Sequence, residues 1–205
     1  IHPGQVTAII RTRGTRDLSK ILPTLPYGQV IVSVDDDGLG IYGRYVEALK
    51  HARHDVIYWQ DDDVIFTEHE RLCEVFEPSR LHAQMRDEWI VGCGYFDMVL
   101  LGEGSLCHRD LICPTLDRYL AAYEDDEFFR RHTDFIFGTL VPFRRYQFGV
   151  EILDQASDQE ALWKQPDQLE GKQEARRRAR SLRKVVLTIL TKDEEQNIGR
   201  AIESA

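Results

Sequence analysis

Val56-Ile57-Tyr58-Trp59-Gln60-Asp61-Asp62-Asp63-Val64-Ile65-Phe66 is the stretch that decides how this chain is read. An apolar, β-branched and aromatic run ends in three carboxylates, and a second apolar run follows at once. Runs of this kind form buried strands. Burying three anions without counter-charge would cost several kcal/mol per ion. The cluster therefore belongs at the strand's exposed C-terminal end, where open α/β sheets bind their ligands. Carboxylates so placed suit a divalent cation, which in turn neutralises a diphosphate. The plainer alternative is a solvated acidic turn; the flanking hydrophobicity favours the metal site.

Outward from this stretch, Val6–Ile10 reads as a first buried strand, ending in the polar turn Arg11-Thr12-Arg13-Gly14-Thr15. Asp17 to Leu22 reads as a short helix stopped by Pro23 and Pro26. Val30–Val34 is a second strand, closed by Asp35-Asp36-Asp37-Gly38. Tyr42 to Arg53 has helical spacing, with Tyr42, Tyr45, Val46 and Leu49 on one face. Alternating strands and helices predict a parallel sheet with right-handed crossovers, so the three strand ends share one edge. The fold class is α/β, a mixed, mainly parallel sheet flanked by helices.

Further on, Glu68–Phe76, Leu116–Ala122 and Phe128–Phe137 read as helical, and Trp89–Tyr95 and Met98–Gly102 as strands. From Gln155 the chain grows polar, and Gly171–Arg183 reads as an exposed helix or linker. Its basic run, Arg176-Arg177-Arg178-Ala179-Arg180, reads as a solvated face rather than a phosphate or membrane contact.

With 205 residues the chain holds one full domain, or one domain and a fragment. A net charge of −9 argues against nucleic acid as the main partner. Cys73, Cys93, Cys107 and Cys113 lack metal-ligand spacing and read as buried free thiols. The sequence contains no signal peptide and no apolar run long enough to span a bilayer, which favours the cytoplasm. Starting with Ile1 rather than Met, it reads as an excised piece of something larger.

Taken in order, these elements resemble the nucleotide-binding half of the GT-A (Rossmann-like) glycosyltransferase fold. The resemblance covers about residues 5–150. It rests on the nucleotide-facing turn, the Asp-ended second strand, the helix led by Gly43-Arg44 and the Asp-x-Asp strand end. Val99-Leu100-Leu101-Gly102-Glu103-Gly104-Ser105-Leu106 resembles the family's Gly-x-Gly segment, and His132-Thr133-Asp134-Phe135 falls where an acidic residue opens a helix. The order is similar both to the large inverting glycosyltransferase family and to the exostosin-type C-terminal domain. Residues 185–205, Val185 to Ala205, resemble the first strand and helix of another such enzyme; the alternative is a strand and helix completing this domain. The expected organisation is a transferase domain over 1–165, a helical linker over 166–184 and the start of a second transferase domain over 185–205.

The resemblance implies transfer of a sugar from a nucleotide-diphospho-sugar, with a UDP-sugar favoured, to an acceptor hydroxyl with inversion. Asp61 and Asp63 would hold Mn²⁺ or Mg²⁺, with the register open by one among three adjacent aspartates. Thr12, Arg13, Asp35, Asp36, Arg44, Asp61, Asp62, Gly102 and Gly104 would contact the donor; for Arg13 and Arg44 a surface ion pair is the alternative. Asp134 would be the general base, or else, like Thr133, a helix cap. The chain departs from the family in having no His after His132, so Asp158 or water would complete the metal shell. Asp154–Trp163 is either a mobile flap or a surface helix. Two other classes stay open: a nucleotidyltransferase, whose Gly-rich basic loop Arg11–Thr15 matches only in part, and a non-catalytic glycosyltransferase-like binding domain.

Overall fold

The computed structural model describes residues 1–153 and 167–183. Strands β1 (Val6–Thr12), β2 (Gln29–Val34) and β3 (Val56–Asp61) are joined by helix α1 (Gly43–His51) and its preceding turns. A short strand β4 (Val64–Phe66), helix α2 (His69–Glu74), β5 (Leu81–Gln84), β6 (Ser105–His108), helices α3 (Ile112–Leu120) and α4 (Glu127–Leu140), then β7 (Phe143–Tyr146) and β8 (Val150–Ile152) follow. A fifth helix, α5, spans 168–183.

Six strands form one sheet in the order β2-β1-β3-β6-β5-β7, while β4 and β8 pair separately. Within the large sheet only β6 runs against its neighbours. The fold is thus the mixed, mainly parallel α/β sheet expected. Strand period sorts the core into two layers. Ile9, Ile57, Trp59 and Cys107 face α1, α3 and α4, whereas Ala8, Val56, Tyr58 and Leu106 face Phe66 and α2. β1 is buried along its whole length because it has a strand on either side and a core layer on each face.

Several local expectations are corrected. Asp17–Leu22 is not an α-helix: the Asp17 carboxylate accepts from the Ser19 amide, and only a 3-10 turn, Leu22–Thr24, forms around Pro23. On α1 the inward face carries Arg44, Tyr45 and Ala48, and Leu49 is exposed. Apolar periodicity misplaced this face because a charged residue with partners competes for the interior. Trp89–Tyr95 is not a strand; Glu88–Gly92 makes a π-turn and the Trp89 indole donates to Glu103. Met98–Gly102 is buried beneath α4 rather than in the sheet, with the Val99 amide donating to Gly138 O at 3.1 Å. The strand lies just beyond, at Ser105–His108. β5 and β7 escaped notice because Leu81-His82-Ala83-Gln84 and Phe143-Arg144-Arg145-Tyr146 carry polar groups that only the fold satisfies, as where Gln84 Oε1 accepts from the Phe148 amide.

α5 is not an exposed helix: Ala175 and Ala179 are fully buried in the larger core layer. Arg176 is buried too, donating to Gly94 O and Asp97. Of the cysteines, Cys73 and Cys107 are buried, but Cys93 and Cys113 are exposed. Asp158, the segment 154–163 and the tail 185–205 lie outside the described residues.

Candidate functional site at the sheet edge

Register brings the first three strand ends together, since Arg11 sits beside both Ser33 and Asp61, and Thr12 beside Val34. The turn after β3 is braced from within. Buried Gln60 accepts from the Tyr58 hydroxyl at 2.7 Å and donates to Val64 O at 2.6 Å, bridging the three aspartates. Of the three carboxylates only Asp61 stands well out at the edge, 45% exposed; Asp62 and Asp63 are 13% and 16% exposed and depend on Arg16 for counter-charge.

Each carboxylate meets an arginine. Arg44, only 1% exposed, donates to Asp61 Oδ1 at 2.7 Å and to Asp134 Oδ2 at 2.9 Å. Arg16 bonds Asp62 and reaches Asp63 at 2.9 Å. Arg44 is therefore a buried bridge, not a surface ion pair. Burial opposes its charge, but Asp134 and Asp61 together outweigh that and raise its pKa.

Asp134 lies in α4, two residues beyond a bend at His132, whose φ of −114° and ψ of 16° are not helical. It is not a helix cap. Its second oxygen accepts from the Tyr45 hydroxyl at 2.8 Å, and Tyr45 is clamped between Trp59 and Phe137 at 5.1 and 5.2 Å. Thr133 does not cap either; its hydroxyl donates back to Phe129 O at 2.6 Å. Burial pushes the Asp134 carboxyl up to about 6, with Arg44 and Tyr45 restraining the rise and Asp61 adding to it. Asp63 is likewise raised to about 6, by burial first and then by the charge of Asp61. Asp62 is raised by burial, against hydrogen bonds from Thr12 and Arg16.

The other expected donor residues divide. Gly102 belongs to the cluster: its carbonyl accepts from the Asp61 amide at 2.8 Å, and a Cβ there would fall 1.9 Å from Asp61 Oδ2. Gly104, at φ +107°, packs against Phe66 and Tyr58. Asp35 is engaged by Arg11 at 2.9 Å and by the Gly40 amide at 3.1 Å, while Asp36 and Arg13 are exposed. Sequence reasoning missed Arg11, Arg16, Tyr45 and Asp37. Arg11 had a visible signal, being a cation at the end of a mainly apolar run. It spends its guanidinium on Asp35, Asp37, Ser33 and two carbonyls, holding the second strand's acidic turn in place. Arg16 and Tyr45 gave no signal, because nothing local links them to their partners.

The donor set can be compared with what a divalent ion needs. Asp61 and Asp63 repel each other, which a cation between them would relieve. Among the described residues no three His, Cys, Asp or Glu side chains converge on one point. Two carboxylates with water and phosphate oxygens nevertheless suffice for an ion such as Mg²⁺. Asp61 is held by Arg44 and Asp63 by Arg16, so an ion placed between these two carboxylates would compete with a guanidinium for each of them.

Fold and cluster together define an α/β protein with an acidic, arginine-braced site at the C-terminal edge of its sheet. No protein-family model matches the chain, and no curated protein matches it. Among solved structures, the crystal structure of HddC from Yersinia pseudotuberculosis is similar over 74% of this chain and 73% of that one, at 13% identity and a TM-score of 0.43. A likeness this distant says nothing of activity. Among the described residues no helix is long and apolar enough to cross a membrane.

Proposed function

We propose that this chain is a metal-dependent glycosyltransferase domain, moving a sugar from a nucleotide-diphospho-sugar to an acceptor hydroxyl with inversion. The observation that carries the reading is the Arg44 bridge. It ties Asp61, at the end of β3, to Asp134, on a helix 90 residues from Arg44 in sequence. A strand-end carboxylate for the donor and a second carboxylate for the acceptor thus share one buried guanidinium.

Thr12, Asp35, Asp62 and Gly102 line the edge where the nucleoside diphosphate would lie. Asp61 and Asp63 would hold Mn²⁺ or Mg²⁺, which when bound stabilises negative charge on the departing diphosphate. Asp134, with its pKa raised to about 6, is ionised at neutral pH yet more basic than an ordinary carboxylate. It would take the proton from the acceptor hydroxyl as that oxygen attacks the anomeric carbon. Arg44 and Tyr45 fix its orientation, so the attack geometry is set before substrate arrives.

The test is calorimetric titration of UDP, GDP and their sugars, with and without Mn²⁺, on wild type and Asp63→Ala. Manganese-dependent binding of one nucleotide, lost in the variant, supports the reading. Absence of binding to all of them by folded protein would sink it. Release of nucleoside diphosphate on turnover supports glycosyl transfer, whereas release of pyrophosphate means nucleotidyl transfer.

A further inference from the structure

α5 docks at two points. Near its start Gly171 is seated against the His132 ring, where a Cβ would fall 2.4 Å from Nε2. Further along, one helical face brings Arg176, Arg180 and Arg183 onto residues 94–98, which lie in no helix or strand. Arg176 donates to Gly94 O at 2.8 Å and to Asp97 Oδ1 at 3.0 Å, with its guanidinium 4.7 Å from the centre of the Tyr95 ring. Arg180 donates to both carboxylate oxygens of Asp97 at 2.5 and 2.6 Å, and Arg183 to Asp97 O at 2.9 Å. From β7, Arg145 donates to Tyr95 O, Phe96 O and Met98 O. A segment outside the sheet has no ladder for its carbonyls, and here arginine side chains supply the donors. Burial would raise the Asp97 carboxyl, but hydrogen bonds from Arg180 and Arg176 hold it down at about 2, so this attachment is ionised at neutral pH.

The chain after Asp97 leads directly to the acidic edge. Met98 and Val99 are fully buried and Leu101 nearly so. The Val99 amide donates to Gly138 O on α4 at 3.1 Å, and a Cβ on Gly138 would fall 2.0 Å from Val99 O, so the two backbones are in close contact. Gly102 O then accepts from the Asp61 amide at 2.8 Å, and the Asp61 carboxylate lies against the Gly102 backbone, 1.9 Å from where a Cβ would stand. The carboxylate that α5 grips and the glycine on which Asp61 rests are five positions apart, 97 and 102. Every link between them is a direct contact.

We infer that Asp97 is a positioning residue for Asp61: by tying residues 94–98 to α5 it fixes the path of residues 98–102, and with it the seat that Gly102 offers the Asp61 backbone and carboxylate. The consequence for ligand binding rests on the donor-site reading above, whereas the positioning is a property of the chain itself. It makes α5 a working part of the domain rather than a linker. Coupling through packed segments of this kind changes affinity by roughly 2- to 30-fold.

The experiment compares wild type, Asp97→Asn and Asp97→Glu by amide hydrogen exchange resolved by NMR, together with calorimetry of UDP in Mn²⁺. In Asp97→Asn the Asp61 and Val99 amides should exchange faster while those of β1 keep their protection. UDP affinity should fall roughly 2- to 30-fold, and Asp97→Glu should restore both readouts. Unchanged exchange at Asp61, or a loss of protection shared equally by β1, overturns the assignment and leaves the donor reading standing. Faster exchange at Asp61 with UDP affinity unmoved overturns it too, because the path of residues 98–102 would then not govern the site. Localised loss of protection in a protein that binds no nucleotide, with or without the substitution, upholds the positioning of Asp61 and overturns the donor reading. Should Asp97→Asn not fold, Arg180→Gln loosens the same grip from a side chain that is 45% exposed. Faster Asp61 exchange in that variant supports the assignment, and unchanged exchange overturns it.

Discussion

Arg44 donates to Asp134 at 2.9 Å across 90 residues of sequence, from a side chain only 1% exposed. Charges withdrawn from water to this degree are held only by each other. The pair therefore fixes the distance between the α1 and α4 sides of the site.

Arg44→Met is expected to destabilise the chain by about 3 kcal/mol, the lower end for a broken buried pair, because Asp61 is partly solvated. Urea unfolding of variant and wild type measures it. A loss under about 1 kcal/mol would show the bridge to be solvated and weak. Donor turnover should fall much further than stability accounts for, since Asp61 and Asp134 both lose their anchor.

The pH dependence follows from Asp134, whose carboxyl is raised to about 6. On the proposed role of Asp134 as base, its ionised form is needed, so the rate should rise with pH through about 6. The stability effect has the opposite sign. Between the unfolded carboxyl value of about 4 and the folded value of about 6, the folded chain retains a proton that the unfolded chain has released. This group's contribution to stability therefore falls as pH rises through that window. Tyr45→Phe removes a hydrogen bond to the ionised form, so the midpoint of the rate profile should move upward. Because Asp63 titrates in the same range, an unmoved midpoint in Tyr45→Phe would assign the profile to Asp63.

Gly102→Ala should abolish donor binding with little global unfolding. Its methyl group would fall 1.9 Å from Asp61 Oδ2 and 2.3 Å from Asp61 Cγ. Asp61 is the more exposed partner and can swing away, so the local site yields before the core does. Calorimetry with UDP and Mn²⁺, paired with thermal unfolding, separates the two effects. Retained affinity would show that Asp61 is not needed in this position.

Arg16→Ala should tighten Mn²⁺ binding in the absence of nucleotide. Arg16 bridges Asp62 and Asp63, so a metal ion must displace it. Removing the guanidinium removes that competition. Weaker Mn²⁺ binding in a titration followed by electron paramagnetic resonance would mean that Arg16 supports the site rather than competing for it.

The strand-end carboxylates and the sheet around them were legible in the chain because their signals are local. Val6–Ile10, Val30–Val34 and Val56–Asp61 are mainly apolar and β-branched or aromatic, and the cost of burying charge places the acidic residues at the ends. Asp134 was visible only through a resemblance of order and spacing. Its surroundings were not, because Arg44 reads in sequence as a donor contact or a surface ion pair, and only the fold brings Asp61 and Asp134 to it.

The same contrast runs through the whole molecule. Apolar runs and turn residues suffice to specify a mixed α/β sheet and the edge at which its polar residues gather, since both depend on neighbours in sequence. Which cation meets which carboxylate, why α1 turns Arg44 inward and Leu49 outward, and how α5 seats Gly171 against His132 depend on pairings between distant segments. Those pairings exist only after packing has removed water from between them, and no local pattern records an interaction whose strength is created by burial.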